Sequence, residues 1–403
     1  VNVRRQAIVF LLLAACSKPA APPPPVQASG PKPAAPQLAD VLAVTEGSAV
    51  VSRTGESQLT NSAARAIDLD AKTVWVTPPD DPQQSAVFSL GARARIERVA
   101  IVNGAATARL RSFRLEFSGD GEHFGNAVDL RKDPPPALRT FEIAPVEARF
   151  VRISFVDTDA RVALNDLHLY GRFLEEPHTG PIDGCWTVNG QPSTFTAKQN
   201  DVTGYVGAPD NTTLEGGSNS RFYRFAWIRG AEYGLAALSV SPDGRHLSGF
   251  VWHEEAVESP LFFANDWFGD RAACAAARPR DSVLETYLRR FGYFPLFGLL
   301  FASDGSLDTA KSAPLLDRVA QLLALNPQLR VRFVAHELTR DSAQENLVIS
   351  KKKTETLRAA LAIRNVDFAR AELVAAGQDH PRRDPTSAIT RAMYSSVDLE
   401  IRR

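Results

Sequence analysis

Between residues 40 and 172 apolar and polar residues alternate in short runs: SAVFSLG (85–91), RIERVAIVN (95–103), SFRLEFSGDG (112–121), RTFEIAP (139–145), ARFVRISFV (148–156) and DLHLYG (166–171). A period of two sends every second side chain to one face, and such runs closed by turn residues predict an all-β antiparallel sandwich. The alternation continues through 173–283, where SPDGRHLSGFVW (241–252) is the clearest hairpin, and predicts a small antiparallel β meander or barrel. From 284 the period changes. SAPLLDRVAQLLALNP puts Leu315, Leu316, Val319, Leu322 and Leu323 on one helical face, with Ser312 as cap and Asn326-Pro327 as stop. LRVRFVAH (329–336) alternates as a strand, ISKKKTETLRAALAIRN (349–365) reads as a helix capped by Ser350, and ELVAAG and SVDLEI close as strands. The order β-α-β-α-β-β predicts an α+β domain over 284–403, with helices on one face of a mixed sheet.

Before residue 40 the pattern is different. Arg4 and Arg5 precede an apolar stretch, Ala7 to Ala15, too short to span a bilayer. Leu13-Ala14-Ala15-Cys16 resembles the lipobox of bacterial lipoproteins, which implies a signal peptide over 1–15 and lipidation of Cys16. By the same resemblance, Ser17 in place of an aspartate favours the outer membrane, with the domains periplasmic. Residues 16–39 form a Pro/Ala-rich linker that cannot bury a core. With Cys16 lipidated in an oxidising compartment, Cys185 and Cys274 remain to form one disulfide. The 46 basic and 46 acidic side chains balance, which argues against nucleic acid as a whole-chain partner.

In the first segment AARAIDLDAKTVW (63–75), the strand ending Leu90-Gly91, FRLEFSGDG (113–121), ARFVRISF (148–155) and ALNDLHLYG (163–171) together resemble the discoidin, or coagulation-factor type C, family of galactose-binding-like jelly rolls. The resemblance implies a jelly-roll sandwich that binds a glycan, a phospholipid or a protein, and a core position for Trp75. Asp68 and Asp70, two apart in a turn with Thr73 behind them, form an oxygen-rich group suited to calcium; the same residue types also serve as backbone caps. The family likeness adds Asp166 to that metal set. Arg109 and Arg111 stand where a loop site would lie.

In the last segment Phe301 before an acidic turn, His336 after a strand, Asn346, Ser350, Gly377 and the final SVDLEI resemble the OmpA C-terminal domain, a peptidoglycan binder. The resemblance implies wall contacts from His336, Asn346 and Lys353. It also places the family's ligand-binding aspartate at Leu338, its arginine at Lys353, and its closing Asn-Arg-Arg at Tyr394-Ser395-Ser396, so altered or weakened wall binding is expected. With a cap at Ser350, Lys351, Lys352 and Lys353 crowd a helix N-terminus and oppose the dipole unless an anion docks.

No nucleophile-base-acid set, phosphate loop or metal-ligand spacing stands out, and His253-Glu254-Glu255 lacks the HExxH spacing. The expectation is therefore a non-catalytic outer-membrane lipoprotein that binds peptidoglycan through its last domain and a glycan or protein through its first. The alternative is an envelope assembly adaptor whose last domain binds protein.

Overall fold

In a computed structural model, residues 38–55, 58–78, 84–103, 112–131, 138–157, 162–254, 266–274, 282–381, 385 and 387–402 are described. The expected signal peptide over 1–15, Cys16, most of the expected linker, Arg109 and Arg111 lie outside them.

The first alternating segment forms β1 (Ala39–Asp40), β2 (Ala49–Arg53), β3 (Trp75–Val76), β4 (Ser85–Asn103), β5 (Ser112–Ser118), β6 (Gly125–Arg131), β7 (Leu138–Asp157) and β8 (Ala163–Phe173). They pair antiparallel in the order β1-β8-β4-β7-β5-β6, with β2 on β4 and β3 on β8, as a jelly-roll-like all-β module. The separate runs expected at 85–91 and 95–103 are one strand, as are those at 139–145 and 148–156. Their shared ladder shifts register between Ser89 and Ala94, an irregularity of the kind that lets one long strand bend.

The middle segment closes into an eight-stranded barrel: β9 (Gly184–Val188), β10 (Gln191–Lys198), β11 (Asp201–Val206), β12 (Thr212–Ser218), β13 (Tyr223–Arg229), β14 (Glu232–Val240), β15 (His246–His253) and β16 (Trp267–Arg271), the last pairing with β9. Inward residues such as Trp186, Phe195, Phe225, Trp227 and Val251 fill it. Cys185 and Cys274 form the expected disulfide, with Cα atoms 5.1 Å apart, which ties β9 to the chain leaving β16. Because it closes a loop of 89 residues, its reduction is expected to destabilise the chain by about 2–4 kcal/mol, measured by urea unfolding with and without reductant.

The last segment holds α1 (Val283–Phe291), β17 (Tyr293–Pro295), α2 (Ala313–Leu325), β18 (Val331–His336), α3 (Ala343–Ala362), β19 (Ala371–Gly377), α4 (Ala388–Tyr394) and β20 (Val397–Ile401). The sheet order is β17-β20-β18-β19, with β18 and β19 parallel and the other pairs antiparallel. The mixed sheet is as expected, and α1 and α4 are additional to the predicted order. One expectation fails. Helix α3 begins seven residues before Ser350, because Ser342 accepts a hydrogen bond from the Glu345 backbone N–H and acts as N-cap. Ser350 lies in the helix interior, accepting from Gly377 N at 3.0 Å. The lysines therefore occupy its middle turns, away from the positive end of the helix dipole.

Residues 38–403 group as one unit, and a single apolar cluster runs through all three modules. The barrel is the hub, since its strands bury both faces. On β13 Tyr223, Phe225 and Trp227 point inward while Ala226 joins the outer core, and on β15 Val251 points inward while Phe250 faces out. Toward the last domain, Gly217 is required: a Cβ there would lie 2.2 Å from Asn200 O and 2.8 Å from Gly298 Cα. Nearby, Glu215 accepts from Val283 N and Leu284 N and so caps α1 from another module. Arg318 on α2 reaches both Glu215 (2.6 Å) and Asp201 (3.0 Å).

Burial pushes the Asp201 carboxyl up to about 6, with Glu215 adding to the rise and Arg318 opposing it. The folded chain thus retains a proton that the unfolded chain releases near its ordinary 3.8. Stability contributed at low pH is lost as pH climbs from about 4 to about 6, by roughly 3 kcal/mol. Asp201→Asn is expected to remove that slope in urea melts compared at pH 4.5 and 7; an unaltered slope would count against it.

Candidate functional site

The residues singled out in the last domain converge at the end of β18. There α3 directs Lys353 inward, where only 3% of it is exposed. Its Nζ donates to Glu337 Oε2 at 2.8 Å, His336 O at 2.9 Å and Ser395 O at 3.4 Å. Burial pulls the Lys353 pKa down and Glu337 opposes the fall. Burial likewise raises the Glu337 carboxyl, but Lys353 and the Thr339 hydrogen bonds outweigh it and the net shift is downward. Asn346 is also internal. Its Oδ1 accepts from Arg340 N and its Nδ2 donates to Arg340 O and Gln378 Oε1, which pins the loop leaving β18. His336 is buried beside them.

The OmpA-like resemblance places the acid of this site at position 338, where the chain has leucine. The acid is one residue earlier, at Glu337, and Leu338 is buried with its backbone N–H on Ser395 Oγ. The register shift between Ala335 and His336 falls on β19, where Ala376 is the extra residue, so it does not displace Glu337 along its own strand. A second unforeseen residue comes from the barrel. Arg224, outward on β13, donates to Ala392 O and Ser395 O at the C-terminal end of α4. Burial lowers it to about 10 against the pull of Glu337 and Asp398. Nothing local to 284–403 signals this arginine.

In the sandwich, the four residues of the expected calcium set do not share one role. Asp68 is buried, and its Oδ2 accepts from Thr73 Oγ1 (2.8 Å) and Arg65 (3.5 Å) while its Oδ1 accepts from Asp70 N. Burial raises its pKa well above the ordinary value despite Arg65. Asp70 caps Lys72 N, and Thr73 Oγ1 also donates to Asp70 O. A cation ligated by Asp68 would face the Arg65 guanidinium, and Thr73 Oγ1 is engaged by Asp68 and Asp70. Asp166 differs: its buried Oδ1 lacks a hydrogen-bond partner, and burial lifts its pKa to about 6, with His168 opposing. Among the described residues no group of three or more His, Cys, Asp or Glu is placed to hold a metal. Trp75 is buried against Phe155, ring centres 5.0 Å apart, in the expected core position.

Arg65 itself belongs to the junction with the barrel. Its Nε donates to Asp266 Oδ2 at 2.9 Å, its Nη2 to Asp266 Oδ1, and Ser62 Oγ joins Oδ2 at 2.7 Å.

Residues 47–166, from the turn before β2 into β8, match the F5/8 type C domain. Solved structures similar to this chain include a putative chitobiase fragment from Bacteroides thetaiotaomicron, with 18% identity, 35% of this chain and 96% of that chain covered, and a TM-score of 0.32. A family 32 module, CpGH89CBM32-5 from Clostridium perfringens in complex with GalNAc-β-1,3-galactose, has 21% identity, covers 32% and 99%, and has a TM-score of 0.29. The family 32 module of C. perfringens NanJ in complex with galactose has 17% identity, covers 33% and 98%, and has a TM-score of 0.29. No curated protein matches the chain. The family-model match over 47–166 supports a discoidin-like F5/8 type C domain for the sandwich.

Proposed function

We propose that this chain is a binding protein of the bacterial cell envelope, lipidated at Cys16 in the outer membrane, which holds its ligands without transforming them. The observation that carries the reading is the F5/8 type C match over 47–166. The ligand of that domain is a glycan, with a protein as the other member of its repertoire. A printed glycan array probed with the full chain tests this: retention of a defined glycan set supports it, and a blank array sinks it. Lipidation is read by palmitate labelling, which Cys16→Ser must abolish.

For the last domain, the likeness around His336, Asn346 and Lys353 supports peptidoglycan binding. The buried Glu337–Lys353 pair, with Arg224 and Lys353 both donating to the Ser395 carbonyl, favours the second reading, an adaptor whose last domain contacts protein. Co-pelleting of the full chain with purified wall at low salt, lost at high salt, supports the first; no pelleting leaves the second. A calcium ion in the sandwich would rest on Asp166 and Asp70. A melting temperature insensitive to both chelator and added calcium removes that ion.

A further inference from the structure

One end of the barrel gathers the β9–β10 hairpin, the β11–β12 turn, the β13–β14 hairpin and the start of β16. It holds a cavity of about 310 Å³ lined by Gln191, Asp210, Trp227, Arg229, His253 and Trp267 among others. Barrel mouths are common ligand sites, and this volume lies at the small end of ligand pockets. The strands make the room. Gly234 is paired with Trp227 on one side and His253 on the other, and a Cβ on it would come within 2.9 Å of the indole. The indole fills that space and meets the His253 ring edge to face, centres 5.0 Å apart.

The charges at this mouth are already paired. Arg229 binds Glu232 at 2.6 Å and stands 3.6 Å from Asp210, so neither an anion nor a cation is called for. Gln191 Oε1, by contrast, is buried and has no hydrogen-bond partner, which is costly unless a donor arrives. Aromatic edges, paired charges and an acceptor lacking a donor suit a neutral ring bearing hydroxyls. The space also continues. The cavity shares Leu59 and Asn189 with a cleft of about 430 Å³ between barrel and sandwich, which reaches Arg53, His246 and Asp270.

We propose that the barrel mouth is a second ligand site, which binds a neutral oligosaccharide with one ring at Gln191 and the chain running past Asn189 toward Asp270. It does not depend on the sandwich having a glycan site of its own. Four of the five tryptophans, Trp186, Trp227, Trp252 and Trp267, lie in the barrel segment, so intrinsic fluorescence reports on it. The full chain is titrated with N-acetylglucosamine, its trimer chitotriose, and lactose. A saturable change is expected with at least one oligosaccharide. Gln191→Leu should weaken it by about tenfold, one hydrogen bond's worth, while Gln191→Glu keeps the acceptor and retains binding. Asp270→Ala, at the exposed end of the cleft, should weaken an oligosaccharide and leave the monosaccharide unchanged. No fluorescence change with any probe overturns the proposal. So does a change that Gln191→Leu and Asp270→Ala both leave intact, which would assign the sugar to the sandwich and leave the proposed function standing.

Discussion

Asp266→Ala is expected to lower the unfolding free energy by about 3–5 kcal/mol, the cost of stranding a buried charge. The charge is Arg65, which is 1% exposed, and Asp266 is fully buried opposite it. Two guanidinium nitrogens engage the carboxylate, and the guanidinium also lies 4.8 Å from the Phe250 ring centre. Without Asp266, Arg65 keeps the carboxylate of Asp68 at 3.5 Å, which is itself held by Thr73. Replacing both partners with apolar residues, Arg65→Met with Asp266→Leu, is expected to be milder, because the stranded guanidinium is gone, although Asp68 then loses its Arg65 contact and keeps the Thr73 hydrogen bond. Urea unfolding of the single and double variants checks this. A single-variant loss below about 1 kcal/mol would mean that water reaches the guanidinium and the pair acts as a surface bridge.

Glu337→Ala is the second large change, again by about 3–5 kcal/mol, since it leaves the Lys353 ammonium buried with only carbonyl acceptors. Lys353→Met added to Glu337→Ala should recover a substantial part of the loss, although the Thr339 hydrogen bonds to Glu337 stay missing. The pair of melts also bears on function. A lysine that greets a wall peptide from solvent would tolerate Glu337→Ala with a nearly unchanged melting temperature. A large loss rescued by Lys353→Met instead identifies Lys353 as an internal tie. For the same reason Lys353→Ala is a poor probe of wall binding, because it perturbs folding and any ligand contact together.

Much of the architecture was readable along the chain. Alternation marked the strands of the sandwich and barrel, the 3.6-residue period marked α2 behind Ser312, and the type C pattern marked the first domain, because each signal lies within a few neighbouring residues. The start of α3 is also written locally, as Ser342 with Glu345 three residues on, although Ser350 before the lysine run offers the same capping hydroxyl. The candidate site was less legible. His336, Asn346 and Lys353 lie together, yet the groups that engage Lys353, Glu337 and Ser395, and the Arg224 that shares the Ser395 carbonyl, come from the residue after a strand, a helix end and another module.

Residue order alone thus settled what each stretch becomes, since hydrophobic period and capping act over one or two turns. Which side chains meet was decided by folding at long range: β16 closing on β9, Arg65 meeting Asp266 across 201 positions, and Arg224 reaching the end of α4. Those encounters arise from burying both faces of the barrel at once, and no local period encodes which surface will cover which.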